Sequence, residues 1–184
     1  TTKFGRANFI PRFGIKSWLD GQFFNGNLNK DDKEYLDITK KSIKHEENNL
    51  KLFIKFLARF NSQFPDRKLV IRPHPSENHE LYKFNTSEYK NILVVNDDKS
   101  TNSWILASDY LIHCNCTTSV EAHILNKNSI NFLGYSDKDV EHTLPKMFSS
   151  NVFSIDDLLN KIIEKDQKQQ ISNFKSNTDK AKKW

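Results

Sequence analysis

Leu69-Val70-Ile71-Arg72-Pro73-His74-Pro75-Ser76-Glu77 and Tyr110-Leu111-Ile112-His113-Cys114-Asn115-Cys116-Thr117-Thr118-Ser119-Val120-Glu121-Ala122 decide the reading of this chain. In each, a short apolar run passes directly into polar residues, as happens where a chain leaves the carboxyl end of a β-strand. Proline cannot donate to a sheet ladder, so Pro73 marks the point of departure. Pro75 holds His74 in extended geometry. The second stretch opens a helix with three successive hydroxyls. In open α/β sheets ligands bind in the crevice at such strand ends.

Working outward, the same alternation recurs. Asp31 and Asp32 precede a helix expected to run to about Asn61, with Leu50, Phe53, Ile54, Leu57 and Phe60 on one stripe. Pro65-Asp66 ends that unit and strand Lys68–Arg72 follows. Next come a helix near Asn78–Phe84, strand Ile92–Val95, a helix near Asn102–Ala107, strand Tyr110–His113, helix Thr118–Leu125 and strand Ser129–Phe132. After a loop with Gly134 and Pro145, Val152-Phe153 reads as a short strand and Ile155–Glu164 as a helix. This pattern implies βαβ units and a parallel sheet with helices on both faces, a Rossmann-like α/β fold. Brief, nearly continuous apolar runs suit strands buried on both sides. The expected domain spans 1–165, with 1–30 an irregular amino-terminal loop segment carrying one short helix near Ser17–Phe23. Residues 166–184 form a polar, basic tail.

Composition narrows the function classes. The chain has 184 residues, 28% charged and 36% hydrophobic, as in an ordinary globular domain. No apolar run approaches the ~18 residues of a membrane span. The net charge of +5 sits at the ends: residues 1–30 hold five Lys/Arg against one Asp, and residues 166–184 five Lys against two Asp. That distribution argues against a nucleic-acid face across the body, and a basic tail is suited to anionic lipid. Cys114 and Cys116 are the two cysteines, at alternating positions that point to opposite faces and disfavour a mutual disulfide. Reduced thiols in a cytosolic protein are the expectation. The start at Thr1-Thr2-Lys3-Phe4-Gly5 gives the expectation of a fragment of a longer chain, cut after a strand.

Two candidate sites compete with plainer readings. His74 on its stiffened loop, with Arg72 nearby, suits stabilisation of a phosphate, or is an exposed turn histidine. Thr117, Thr118 and Ser119 open a helix where backbone N–H groups favour an anion. Yet Thr118-x-x-Glu121 is also a capping box that needs no ligand. The two roles are compatible if Thr118 caps while Thr117 and Ser119 face the crevice. His45 reads as a solvated residue of the long helix. His74, Glu77 and His79 do not have the spacing of a metal site. No Gly-rich phosphate loop, serine-hydrolase elbow or HExxH helix occurs.

Taken in order, these motifs resemble the carboxyl-terminal half of a GT-B glycosyltransferase. The likeness is to bacterial capsule and lipopolysaccharide biosynthesis proteins, with Kdo-, sialyl-/polysialyl- and glycerophospho-transferase relatives. Thr1–Asn8 resembles the end of that domain's first strand and its loop, Leu69–Glu77 the "RPHP" segment, and Ser103–Ala122 the strand and Ser/Thr-rich helix start with its "EA" pair. The resemblance implies a CMP-sugar donor, Kdo or sialic acid. It carries the phosphate-contacting roles to His74, also catalytic, and to Thr117, Thr118 and Ser119, and a ribose or base contact to Glu121. It adds Lys3, Gly5, Arg6, Asn8, Arg72, Glu77 and Asn115 as donor-binding candidates. The acceptor, a glycan or glycolipid, and the catalytic base would belong to an amino-terminal domain outside this chain. No metal or other cofactor is implied, and the expected place is cytoplasmic, at the inner face of the bacterial membrane. UDP-sugar transfer or epimerisation, CDP-glycerol transfer, and a non-catalytic α/β scaffold remain as alternatives.

Overall fold

The computed structural model describes residues 2–8, 14–27, 29, 31–97 and 99–164, with main chain alone at 14–18. The basic tail lies outside the described residues. The order is α1 (Gly14–Phe24), α2 (Lys33–Gln63), β1 (Leu69–Ile71), α3 (His79–Thr86), β2 (Ile92–Val94), α4 (Thr101–Ala107), β3 (Tyr110–His113), α5 (Thr118–Ile124), β4 (Asn128–Phe132), α6 (Thr143–Met147) and β5 (Ser150–Val152). Residues 155–164 form a last helix, α7. The architecture is mixed α/β, with parallel strands in two small sheets flanked by helices, a Rossmann-like arrangement.

Local chemistry sets the boundaries. The Tyr35 N–H donates to Asp32 Oδ1 at 2.9 Å, capping α2, and Pro65 lies just past the end of that helix. Asn78 and Ser100 cap α3 and α4 by accepting from Glu80 N and Ser103 N. The loop expected after Gly134 contains a short helix, α6, because Pro145 falls in its first turn, where a missing N–H costs nothing.

The long helix supplies one wall of the core. Phe53, Phe56, Leu57 and Phe60 are buried against Ile71, Ile92, Ile130, Phe132 and Val152 from the strands, and Leu158, Leu159 and Ile162 from α7. Burial of each such side chain is worth about 1.5–3 kcal/mol. A second cluster of Ile105, Leu111 and Ala122 packs α4 and α5 on the opposite face of β3. Period-two alternation explains the split: Tyr110 and Ile112 turn to the first cluster and Leu111 to the second.

The sheet departs from one continuous ladder. β1 pairs with β2, and β3 with β4 and β4 with β5, all parallel. Among the described residues, hydrogen bonding does not join β1 to β3. On the β1–β2 pair Val70 and Leu93 remain 36% and 56% exposed, so the face away from α2 is incompletely covered there. One helix-borne expectation also changes. His45 is 3% exposed rather than solvated, because its position on α2 faces Asn49 and Tyr135. Among the described residues, no helix is long and apolar enough to cross a membrane.

Gly134 follows β4 where a Cβ would lie 2.7 Å from Leu52 Cδ1 and 2.9 Å from the Phe132 ring. The ring is buried and has no room to yield. Gly134→Ala is expected to destabilise the fold by about 1–3 kcal/mol through overpacking, read as a lowered urea midpoint at unchanged slope.

Candidate functional site

Both motif loops leave the carboxyl ends of parallel strands, and the segment 2–8 runs between them. On the first side, Thr2 N–H donates to the Arg72 carbonyl at 3.4 Å, and the Thr2 hydroxyl donates to Glu77 at 2.9 Å. Gly5 packs so closely on Ser76 that a Cβ would sit 2.9 Å from its Oγ. Asn78 N–H donates to the Asn8 carbonyl at 2.8 Å, and Asn8 Nδ2 returns a bond to the Asn78 carbonyl at 3.1 Å. On the second side, Lys3 Nζ lies 3.4 Å from His142 Nε2. Arg6 donates through its backbone N–H and Nη1 to Glu46, each at 2.7 Å. Lys3, Arg6, His45, Glu46, Cys114, Asn115 and His142 surround one small cavity of about 20 Å³.

Glu77 organises the first loop. Its buried carboxylate accepts from the Thr2 hydroxyl, from the His74 N–H at 3.2 Å and from the Tyr82 hydroxyl. Burial, then the adjoining carboxylate, keep that phenol protonated far above its ordinary range. His74 itself is exposed. Its Nδ1 accepts from the Ser76 N–H at 3.2 Å and lies 2.7 Å from Ser76 Oγ. The proton of the neutral ring therefore belongs on Nε2, leaving an outward donor. His79 Nε2 donates to the His74 carbonyl at 3.2 Å and further fixes the loop. Arg72 turns aside from His74. Its Nη1 and Nη2 donate to Thr101 Oγ1 and the Lys99 carbonyl, at 3.0 and 2.9 Å.

Asn115 organises the second loop. It occupies the left-handed region, φ 49°, which asparagine tolerates better than most residues. Its N–H donates to Asn131 Oδ1 at 2.9 Å, its Nδ2 to the Val140 carbonyl at 3.2 Å, and its Oδ1 accepts from the His142 N–H at 2.7 Å. These bonds bring the loop 134–142, and with it His142, over the end of β3. His113 lies fully buried beneath. Cys116 N–H donates to its Nδ1 at 3.3 Å, and Nε2 donates to Ser149 Oγ at 2.8 Å. Burial pulls the His113 pKa down to about 3.

The helix start differs from the sequence expectation. The N-cap is Thr117, not Thr118, and it makes no side-chain capping bond. The helix starts one residue earlier than the Thr118-x-x-Glu121 pattern implies. Thr118 is its first residue. Ser119 is buried and donates to the Cys116 carbonyl at 3.1 Å, so its hydroxyl faces the fold and not the crevice. Thr117 is exposed, and Glu121 is half-buried. Cys114 and Cys116 are both free, and burial pushes the Cys114 thiol up.

Of the candidates, Lys3, Gly5, Arg6 and Asn8 join the two loops; His74 and Glu77 share one loop, and Asn115 holds the other. Arg72 belongs with α4. His142, His45 and Glu46 were missed by sequence reasoning. His142 lies in a loop without motif, and the α2 pair is recognisable only once the segment 2–8 is laid against that helix. His142 is held below the ordinary histidine range by partial burial, then by the Lys3 and Arg6 charges. Burial raises the Glu46 carboxyl, against the opposing pull of Arg6. Among the described residues, no group of three or more His, Cys, Asp or Glu is placed to hold a metal. The chain matches no protein-family model, no curated protein and no solved structure.

Two outcomes follow for stability. Glu77→Ala strands the donors of Thr2, Tyr82 and His74, and should cost about 3 kcal/mol in urea unfolding, with Glu77→Gln losing less. Second, the neutral His113 contributes stability fully present above pH ~6.5. As pH falls towards 3, the unfolded chain takes a proton the folded chain refuses, and stability drops by up to roughly 1.4 kcal/mol per pH unit. His113→Gln should flatten that slope. The difference between the two chains isolates the imidazole from Glu46, whose raised carboxyl acts with the opposite sign.

Proposed function

We propose that this chain is the donor-nucleotide-binding domain of a glycosyltransferase of surface-polysaccharide synthesis, using a CMP-sugar. The observation that carries the reading is the convergence of Lys3, Arg6 and His142 at the end of β3, on a segment that also reaches the His74 loop. The Lys3 ammonium faces the imidazole Nε2 of His142, which burial and the nearby cations favour in its neutral form. Glu46 offsets Arg6, but among the described residues Lys3 pairs with no carboxylate. A phosphate beside Lys3 and His142 gives the ammonium an anionic partner and favours a protonated imidazole. His74 Nε2–H then supplies a second donor, and the exposed Thr117 hydroxyl a third. In the transfer step, these groups offset charge on the departing CMP phosphate as the sugar–oxygen bond breaks. The nature of the nucleotide and sugar comes from the family resemblance. The product, a cell-surface glycan, needs an acceptor site on a further domain.

A non-catalytic scaffold is the second reading, favoured by a specific observation. Glu77, Asn8, Asn115 and Ser119 are each satisfied by other side chains or by the backbone within the fold, as purely structural residues are.

Calorimetric titration separates the two. CMP is expected to bind more tightly than UMP or AMP, and more tightly at pH 6 than at pH 8 as His142 gains a proton. Lys3→Ala and His74→Ala should each lower affinity by about 10- to 100-fold, the loss of one charge-assisted bond, at unchanged melting temperature. Thr117→Ala should weaken binding while changing stability by less than about 0.5 kcal/mol. Absence of CMP binding, or unchanged affinity in both Lys3→Ala and His74→Ala, leaves the scaffold reading in possession.

A further inference from the structure

Strand β2 pairs with β1 and, among the described residues, with no other strand. Leu69 N–H donates to the Asn91 carbonyl, and Val95 N–H to the Ile71 carbonyl, at 2.9 Å each. The parallel register Leu69↔Ile92 and Ile71↔Val94 therefore turns the Asn91 carbonyl, both main-chain groups of Leu93 and the Val95 N–H towards β1. By alternation, the N–H and C=O of Val94 point away from the pair. So does the Ile92 carbonyl, while the Ile92 N–H closes a turn onto the Tyr89 carbonyl at 3.3 Å. Side chains alternate as well. Ile92 and Val94 turn to the core, and Leu93, paired with Val70 on the opposite face, stays 56% exposed. Edges left to solvent are ordinarily guarded by a charge, a proline or a bulge. Ile92-Leu93-Val94-Val95 has neither charge nor proline, and its register with β1 runs without a bulge. Charge sits instead at the two ends, with the exposed Lys90 before the strand and Asp97-Asp98 after it. Lys99, next in the chain, lies over the Trp104 ring, 5.6 Å from its centroid.

We propose that β2 is a self-association edge: it pairs antiparallel with β2 of a second copy of this chain, about a twofold axis at Val94. The Val94 N–H of each copy then donates to the Val94 carbonyl of the other, the reciprocal bond that a twofold axis through an antiparallel ladder produces. In this register Leu93 comes opposite Val95 of the second copy, so the exposed leucine gains an apolar cross-strand neighbour. Lys90 of each copy meets the Asp97-Asp98 end of the other. Charge selects this direction, because parallel pairing of identical strands sets Lys90 against Lys90 and the acidic ends against each other. A second copy is thus the occupant that the edge itself describes: its main-chain groups, its apolar residue and its end charges are all self-complementary. Two separate strand pairs become one four-stranded sheet, past the size at which a lone pair is marginal. This inference is independent of the nucleotide reading, since Ile92–Val95 contributes no residue to that site.

Sedimentation and amide hydrogen exchange on the whole chain, from dilute solution to about 1 mM, test this. A reversible monomer–dimer equilibrium is expected. As dimer forms, exchange at the Val94 amide should slow by about tenfold or more, well beyond any change at Val95, whose N–H already bonds Ile71. Leu93→Lys, at an exposed position, should weaken association by about tenfold or more and leave the melting temperature of the dilute chain unchanged. Val94→Pro removes the outward N–H without touching the ladder to β1, and should weaken association likewise. A chain that stays monomeric at about 1 mM would overturn the proposal. So would a dimer in which Val94 exchange does not change, a Val94 amide already protected in the dilute monomer, or a dimer that both substitutions leave intact.

Discussion

The buried carboxylate of Glu77 is the constraint from which the site geometry follows. A charge removed from water has to be met by donors, and three come from three different places: the Thr2 hydroxyl, the His74 N–H and the Tyr82 hydroxyl. Satisfying one group thus pins the amino-terminal segment, the loop after β1 and helix α3 to one another. Once Thr2 is fixed, the chain from Lys3 to Asn8 has little freedom. Phe4 is buried in the core, Gly5 passes over Ser76 without room for a side chain, and Asn8 closes on Asn78. Arg6 is then delivered to Glu46, and Lys3 to His142.

The fold was legible because its signals are local. Leu-Val-Ile before Arg72-Pro73, the apolar stripe ending at Phe60, and the run ahead of His113 each announce their element without reference to the rest of the chain. Strand and helix positions accordingly agree with expectation to within a few residues. What the sequence could not show is pairing. Hydrogen bonds between β1 and β2, and among β3, β4 and β5, depend on which edges approach, and no residue pattern distinguishes one parallel sheet from two. Helix α6 escaped notice because five residues around a proline carry no period.

The site was legible in its anchors and not in its partners. Pro73, His74 and Pro75 fix a loop by their own stereochemistry, so its shape is written in adjacent residues. The role of His142 depends on Asn115 twenty-seven positions earlier, and that of His45 on a helix face that becomes interior only when the loop at Tyr135 closes over it. The helix start shows the opposite limit. Thr118-x-x-Glu121 satisfies the capping pattern, yet Thr117 takes helical angles and moves the boundary back one residue. A pattern states what a residue is able to bond, and tertiary context chooses among those options.

Hydrogen-bond satisfaction divides the conserving groups of the fold from those left to meet a ligand. Asn115, Ser119, Glu77 and Asn8 each have their polar atoms engaged within the chain, so replacing one costs stability first. His113 belongs with them: its two ring nitrogens are bonded and it is held neutral, which suits a rigid support and not a proton carrier at neutral pH. His74 and Lys3 are the converse. Each is held in place by one side of its head group, His74 through Nδ1 and Lys3 through a long contact with the His142 imidazole, while further donors remain. Preorganised donors of this kind add little to folding, because water serves them in both states. Their value appears only when an anion displaces that water, and the most motif-like residues of the second loop, Ser119 above all, are therefore not the ones best placed to receive it.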